Sequence, residues 1–213
     1  MLCKKKGLIY TVSSKKEEKS ETRNRILEAT QKLLEGPDTS VPGMADVAAQ
    51  AGISRQAVYL HFSSRADLLI ETIRFIDERN GLPERLSALQ AIESGIERLD
   101  RCVHVWGEYL PEIQGISRAL LMLRDSDPEV MEAWDETVRC LSDVCRDCLT
   151  TLKNQGLLAS EWTVPKATIM LTGMLSIPCW EELQRLGWSN REYIKSLKLS
   201  VRKTFCAPQE REE

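Results

Sequence analysis

The chain has 213 residues, which is enough for a small domain joined to a larger one. Hydrophobic residues make up 42% and charged residues 29%, a globular balance that excludes a disordered chain. No apolar run is long enough to cross a membrane, and the apolar patch at residues 7–12 is too short for a signal peptide. A cytoplasmic protein without membrane contact is therefore expected.

The net charge of −3 is distributed unevenly along the chain. Residues 1–65 hold eleven Lys and Arg against seven Asp and Glu, whereas the remainder holds eighteen basic and twenty-five acidic residues. A basic end on an otherwise acidic protein indicates that this end faces a polyanion.

The first 80 residues are predicted to form a basic arm and a small helical domain. Residues 1–19 are predicted to be a flexible arm and residues 20–80 the domain. From Glu21 onward, apolar residues recur at spacings of three and four, which is typical of a helix with one buried side. The run Gly36-Pro37-Asp38 is expected to end that helix.

Two short helices follow, at residues 44–51 and 54–61, joined by Ala51-Gly52-Ile53. Gly52 can adopt positive φ in the tight turn between them, and Ser54 is a suitable N-cap for the second. The small Ala48 and Ala49 are expected to let the helices approach closely. The apolar residues of these helices are predicted to form one small core: Ile26, Ala29, Leu33, Val47, Ile53, Val58 and Phe62.

If Val58 and Phe62 face inward, Arg55, Gln56 and Tyr59 face outward near the start of the helix. That is the part of a recognition helix that enters the major groove of DNA. Arg55 is suited to guanine O6 and N7, and Gln56 to adenine N6 and N7.

Other side chains near this helix suit further DNA contacts. Ala57 is small enough to lie against a thymine methyl group. Tyr59, His61 and Arg65 are positioned to contact phosphates, which provide affinity but no sequence information.

The remaining sequence predicts helix after helix and no strand, so the fold class is all-α. Ser63 or Ser64 is expected to cap a fourth helix that ends at Gly81 and Pro83. Residues 81–213 are predicted to form a second domain with these helices: 84–109, 112–124, 127–154, 164–186 and 190–206. Pro111, Asp127-Pro128 and Gly187 are among the expected breaks.

The stretch from Ile26 to Leu69 resembles the DNA-binding domain of TetR-family regulators. The resemblance rests on RILEATQKLL and on MADVAAQAGISRQAVYLHFSSRADLL. It implies a helix-turn-helix domain followed by a helical ligand-binding and dimerisation domain, with Tyr59 and His61 on phosphates and Arg65 at the start of the fourth helix. Arg23 and Gly43 complete the candidate DNA-contacting residues. Gly43 and Ala57 stand where the family commonly has Thr, so one or two phosphate contacts are expected to be missing.

The resemblance also implies a homodimer on a palindromic double-stranded DNA operator. The expected interface consists of apolar residues of the last two predicted helices: Leu171, Met174, Leu175, Leu183, Ile194, Leu197 and Val201. The alternative is that these residues face the subunit's own core.

The middle helices are expected to enclose a small lipophilic or aromatic effector. Candidate pocket residues are large or polarisable side chains on these helices: Cys102, Trp106, Tyr109, Met122 and Trp134. The alternative is that they fill the core.

Seven cysteines without an export signal favour reduced thiols. Cys140, Cys145 and Cys148 are expected to be inert buried thiols. A thiol sensor activated by Arg146 remains an alternative, whereas a metal site lacks a second Cys or His pair. No metal and no cofactor are expected.

The sequence favours a ligand-responsive repressor over the other functional classes. An enzyme is not expected, because no base-and-nucleophile arrangement and no phosphate-binding glycine loop are present. An activator of the same family, or a ligand-binding helical module without DNA binding, remain the alternatives. The effector, the operator and the regulated genes are not encoded in any motif.

Overall fold

A computed structural model describes residues 6–36 and 40–208, with side chains from Glu18 onward. Within these ranges the protein is all-α, as predicted, with one isolated bridge between Leu158 and Cys206. The helices are α1 (Lys6–Leu34), α2 (Met44–Ala51), α3 (Arg55–Tyr59), α4 (Arg65–Arg79), α5 (Leu82–Ser87), α6 (Gly95–Leu123), α7 (Pro128–Asn154), α8 (Val164–Met174), α9 (Ile177–Arg185) and α10 (Asn190–Phe205). A 3₁₀ turn at Ala88–Ala91 follows α5.

The N-terminal helices enclose a separate small core, as predicted. Val58 and Phe62 from the region of α3 are at most 1% exposed and pack with Val47 of α2 and Ile26 of α1. Leu68 closes this core from α4. Because three short helices bury little apolar surface alone, this contribution from α4 is needed.

The turn between α2 and α3 has the predicted geometry. Gly52 lies in the left-handed region at φ +66°, which a side chain would disfavour. The Ser54 hydroxyl accepts a hydrogen bond from the Ala57 N–H at 3.1 Å and thereby caps α3. Ala48 is buried as expected, but Ala49 is exposed and takes no part in the helix contact.

The first helix is longer than predicted. It begins at Lys6, so residues 6–19 continue α1 instead of forming a flexible arm, while residues 1–5 of the predicted arm lie outside the described residues. No Pro or Gly occurs between Leu8 and Leu34, and the charged residues in this stretch are good helix formers. The boundary between the two predicted domains stays a prediction.

Pro111 does not separate two helices, and this prediction is wrong. Helix α6 runs through it from Gly95 to Leu123. A proline inside a helix leaves the carbonyl four residues earlier without its N–H donor. Here the Asn190 side-chain amide donates to the Gly107 carbonyl at 3.1 Å, so the freed acceptor has a partner on α10.

Two other predicted boundaries also differ. The segment predicted as helix 84–109 begins as α5 and a 3₁₀ turn, and α6 starts only after Ser94, whose hydroxyl accepts from the Glu97 N–H. The segment predicted as helix 164–186 is broken at Leu175. Ser176 caps the new helix α9, in which Pro178 occupies a position that needs no N–H donor.

The two cores meet where α6 crosses the end of α1. The backbone at Gly115 lies so close to Leu34 that a Cβ on Gly115 would be 2.8 Å from the Leu34 carbonyl carbon. A second connection joins α4 to α6, because the Tyr109 hydroxyl donates to the Asp77 carboxylate. The N-terminal helices are therefore held to the larger core at two places along α6.

We predict that Gly115→Ala lowers the free energy of unfolding by about 1–3 kcal/mol, because the added methyl group forces α1 and α6 apart. Denaturant unfolding followed by circular dichroism measures this change. Gly173→Ala is the matched control, since a Cβ at this helical glycine meets no atom within 4 Å. That variant should be unchanged or stabilised by up to about 1 kcal/mol. Equal effects at the two glycines would contradict the close approach at Gly115.

We predict that Asp77→Asn changes how stability depends on pH. Burial is the main cause that raises the pKa of Asp77 from 3.8 to about 6 in the folded protein. The stability that this carboxyl contributes is therefore fully present below about pH 4 and is lost as the pH rises through about 6. Relative to Asp77→Asn, the free energy of unfolding of the unmodified protein should fall by roughly 1–3 kcal/mol between pH 4 and pH 7.5. Urea unfolding at each pH measures this difference. Parallel curves for both proteins would show that Asp77 does not titrate with a raised pKa.

Candidate nucleic-acid interface and ligand cavity

Helix α3 presents a polar side to solvent, as predicted. Val58 points into the core, whereas Arg55, Gln56 and Tyr59 are exposed. The Ser54 cap sets the start of the helix, and the burial of Val58 sets its rotation. Together these two local constraints decide which side chains a ligand can reach.

Arg55 and Tyr59 form one exposed pair on this surface. The Arg55 guanidinium lies 5.7 Å from the centroid of the Tyr59 ring, and its Nη2 is 3.4 Å from the Tyr59 hydroxyl. Such a solvent-exposed contact is weak, so the guanidinium can exchange it for a base edge or a phosphate. Within the described residues, the Gln56 side chain makes no hydrogen bond.

Gly43 and Ala57 lie at the edge of this surface. Gly43 precedes α2 and brings no side-chain cap to it, while its own N–H donates to the Asp46 carboxylate at 2.9 Å. Ala57 is half-buried.

Arg23 and Arg65 are less free than the sequence suggested. Arg23 pairs with Glu71 on α4, and its guanidinium lies 5.0 Å from the Phe62 ring centroid. The Arg65 Nε donates to the Pro42 carbonyl at 3.0 Å, and its Nη2 donates to the Val41 carbonyl. Both arginines therefore tie the helices of the domain together, and their phosphate contacts stay a prediction.

His61 is an uncharged side chain at neutral pH. Burial is the main cause that lowers its pKa below the ordinary value of 6.5, and the positive charges of Lys19 and Arg23 lower it further. Its Nδ1 atom is buried without a partner among the described residues.

Leu60 is a surface residue that the sequence analysis missed. It is 74% exposed at the end of α3, between Tyr59 and His61. No signal in the sequence marks Leu60 as exposed, because it lies in a mostly apolar run. In the structure the helix ends at this residue, and the next residue in the core is Phe62.

A second candidate site is an apolar cavity of about 320 Å³ between α6, α7 and the α8–α9 break. Trp106 and Trp134, two of the residues suggested for a ligand pocket, line it, and their contact with a ligand stays a prediction. The Trp106 ring is fixed by a hydrogen bond from its Nε1 to the Leu175 carbonyl at 2.8 Å. Arg124, at the end of α6, also lines the cavity and was not predicted.

Three of the predicted pocket residues do not line this cavity. Met122 is 61% exposed and points to solvent. Tyr109 is buried, with its hydroxyl on Asp77. Cys102 is buried next to Cys145 and Cys148, where it fills the core between α6 and α7. Helix periodicity identified these residues as large and apolar, but it could not separate a cavity wall from its surroundings.

The cysteines favour the interpretation as inert thiols. Cys145 and Cys148 are buried, whereas Cys140 is exposed, contrary to expectation. Burial raises the pKa of the Cys140 thiol, and the neighbouring Cys102 thiol together with burial raises the pKa of Cys148. Arg146 pairs with Asp143 at 2.7 Å instead of activating a thiol.

Four of the predicted dimer residues are wrong as interface residues. Leu171, Leu175 and Val201 are 0% exposed and Leu197 is 8% exposed, so all four lie in the subunit's own core. Met174, Leu183 and Ile194 are partly buried against the same core. An apolar stripe reports that a helix side is covered, but not whether the cover comes from the same subunit.

The last helices instead expose a different set of apolar side chains. Of ten large hydrophobic residues that are exposed in the described structure, five lie on α8, on α10 or just after α9. They are Ile169, Met170, Leu186, Trp188 and Leu199. Exposed apolar side chains are therefore concentrated in the C-terminal part of the described sequence.

The described ranges, 6–36 and 40–208, contain no group of three or more His, Cys, Asp or Glu side chains arranged to hold a metal ion. Nor does any helix in these ranges combine the length and the hydropathy that spanning a membrane requires.

Residues 26–72 match the sequence model of bacterial regulatory proteins of the tetR family. The HTH-type transcriptional regulator TtgR of Pseudomonas putida is 39% identical over 54 residues. This alignment spans only 25% of the present chain and 26% of TtgR.

Solved structures resemble the chain over most of its length. A transcriptional regulator from Saccharomonospora viridis in complex with choline has a TM-score of 0.76 at 19% identity, covering 89% of this chain and 100% of that one. The regulator FadR from Bacillus subtilis in complex with stearoyl-CoA has a TM-score of 0.65 at 16% identity, covering 84% and 97%. These likenesses show a shared fold for both parts of the molecule.

The sequence match falls on α1 to α4, which carry the helix-turn-helix, and the helical C-terminal part has the fold of proteins with the same N-terminal domain. The part of the chain that matches bacterial regulatory proteins of the tetR family is therefore its helix-turn-helix region, residues 26–72.

Proposed function

We propose that the protein is a transcriptional regulator that binds double-stranded DNA as a homodimer and releases it when a small effector binds. The observation that supports this proposal is the orientation of α3: Val58 is buried, while Arg55, Gln56 and Tyr59 are exposed together on the other side. A recognition helix needs this division between an anchoring side and a reading side.

The residues of α3 suit both base contacts and backbone contacts. An arginine paired to guanine or a glutamine paired to adenine discriminates by about 1–3 kcal/mol against a wrong base. Tyr59 lies beside Arg55, and the exposed Lys19 lies near His61. Both side chains suit contacts with phosphates. Because phosphate contacts release counterions, we expect affinity to fall steeply as the salt concentration rises.

A homodimer follows from the size of the reading surface and from the exposed apolar residues. One α3 helix reads only a few base pairs, so two copies on a palindromic operator supply the remaining specificity. Ile169 and Met170 on α8, with Leu199 on α10, provide apolar area that a second copy can cover. This interface replaces the one that the sequence suggested.

An effector in the cavity can act on α3 through a short chain of contacts. The Trp106 ring lines the cavity and lies 5.7 Å from the Tyr109 ring. Tyr109 donates a hydrogen bond to Asp77 on α4, the helix that directly follows the recognition helix. A ligand that shifts Trp106 therefore favours another position of α4, provided it binds the DNA-incompetent state better by about 1–3 kcal/mol.

The similar proteins support a small-molecule effector. The Saccharomonospora viridis structure contains choline and the Bacillus subtilis structure contains stearoyl-CoA. The present cavity lies within the helical part that shares their fold, so we infer that it also receives a ligand, and we infer that the ligand relieves repression.

We predict that Arg55→Ala relaxes base preference, whereas Tyr59→Phe weakens binding to every sequence. The first variant loses a group that reads one base, worth about 1–3 kcal/mol at that position. The second variant loses a phosphate contact without sequence information. The measurement is selection of duplexes from a random library with the full-length protein, followed by anisotropy titration of single-base variants of the selected operator.

Arg191→Ala is the control, because it removes the same charge from an exposed position on α10, away from α3. It should leave affinity and base preference unchanged. If Arg55→Ala lost affinity equally on all operator variants, Arg55 would not read a base. If selection enriched no sequence, the proposed function would be wrong.

We predict that Met170→Glu converts the homodimer to monomers, because a buried unpaired charge at the interface is costly. Sedimentation velocity at micromolar concentration measures the change. Met131→Glu is the matched control: Met131 is 50% exposed on α7, against 48% for Met170 on α8. A monomeric unmodified protein, or dissociation caused by the Met131 variant alone, would contradict the proposed interface.

A further inference from the structure

The cavity between α6, α7 and the α8–α9 break has a lining of a single charge sign. Among the described residues that line it, Arg124 is the only one with a charged side chain, and none is a carboxylate. Most of the lining is apolar, with Trp106 and Trp134 as the largest surfaces. A ligand in this cavity thus meets an apolar body and one positive charge.

The guanidinium of Arg124 is available to a ligand. Its one ion pair in the described structure joins its Nε to Asp125 Oδ1 at 3.4 Å, between side chains that are 42% and 88% exposed. An exposed pair between neighbouring residues contributes little stability. A ligand carboxylate could replace it with two parallel hydrogen bonds, which is the geometry that arginine favours.

Ser117 adds a buried polar group without a partner. It is 1% exposed and lines the cavity, and its hydroxyl makes no hydrogen bond within the described residues. The other hydroxyl groups of the lining are already bonded to backbone carbonyls of their own segments: Thr137 to Ala133 at 3.0 Å, Thr172 to Thr168 at 2.8 Å and Ser176 to Gly173 at 2.8 Å. The Ser117 hydroxyl therefore gives the cavity wall a second polar group that can donate to a ligand oxygen.

We propose that this cavity binds a lipophilic carboxylate, with its apolar body between Trp106 and Trp134 and its carboxylate on Arg124, next to the Ser117 hydroxyl. The inference rests on the effector cavity of the proposed function and names its ligand class. The pair of tryptophans could also attract a quaternary ammonium group through their ring faces. The positive charge of Arg124, with no carboxylate among the described lining residues, opposes that alternative.

The test uses the full-length protein without DNA and three probes of equal chain length: octanoate, 1-octanol and octyltrimethylammonium. Binding is measured by tryptophan fluorescence, since Trp106 and Trp134 line the cavity, and by calorimetry. We expect octanoate to bind at least about tenfold more tightly than 1-octanol. One charge-assisted hydrogen bond to the carboxylate is sufficient for a difference of this size. Octyltrimethylammonium should bind most weakly.

Arg124→Met should lower the affinity for octanoate about tenfold and leave that for 1-octanol unchanged. Arg124→Lys keeps the charge and should retain most of the preference for octanoate. Arg139→Met is the matched control, because Arg139 is exposed on α7 and does not line the cavity. Thermal unfolding by circular dichroism checks that each variant is folded.

Equal binding of octanoate by the Arg124→Met variant, tightest binding of octyltrimethylammonium, or no binding of any probe would overturn the proposal. These outcomes are separate from the DNA test. A protein that selects an operator but fails here disproves the ligand class alone, whereas a protein that prefers octanoate but selects no DNA disproves the proposed function alone.

Discussion

The continuity of α6 through Pro111 is the constraint on which the arrangement of this molecule depends. The helix contacts α1 at Gly115, joins α4 through Tyr109 and forms one wall of the cavity with Trp106. A break at Pro111 would separate Tyr109 from Gly115 and uncouple these contacts. The Asn190 amide prevents an unsatisfied carbonyl at Gly107, so α10 stabilises the position at which α6 is weakest.

The small N-terminal core and the large C-terminal core share α4. Its Leu68 lies in the small core, whereas Ala66, Leu69, Ile73 and Ile76 lie in the large one. The Asp77 carboxyl group is buried and has a raised pKa, so its hydrogen bond with Tyr109 has a cost as well as a benefit.

The intramolecular partners of Arg23 and Arg65 change how the DNA-facing surface is understood. These arginines hold α1, α4 and the segment before α2 together, so their charges lie near the surface without being free. Arg55, Gln56 and Tyr59 remain as the side chains with room to rearrange. The side chains that are free to rearrange thus lie on α3, and the arginines that hold the helices together lie on α1 and α4.

The sequence by itself determined the elements whose signals are local. The apolar spacing around Val58, the cap at Ser54 and the turn at Gly52 specify the helix-turn-helix and the exposed side of α3, because each signal acts within a few residues. The tertiary structure alone decided the rest. Pro111 stays within a helix since a distant Asn190 supplies a donor, and Leu171 and Val201 face their own core. Arg124, at the end of α6, lines a cavity that α6 forms with α7 and the α8–α9 break. Periodicity shows that a helix side is covered, but only the packing of distant segments shows what covers it.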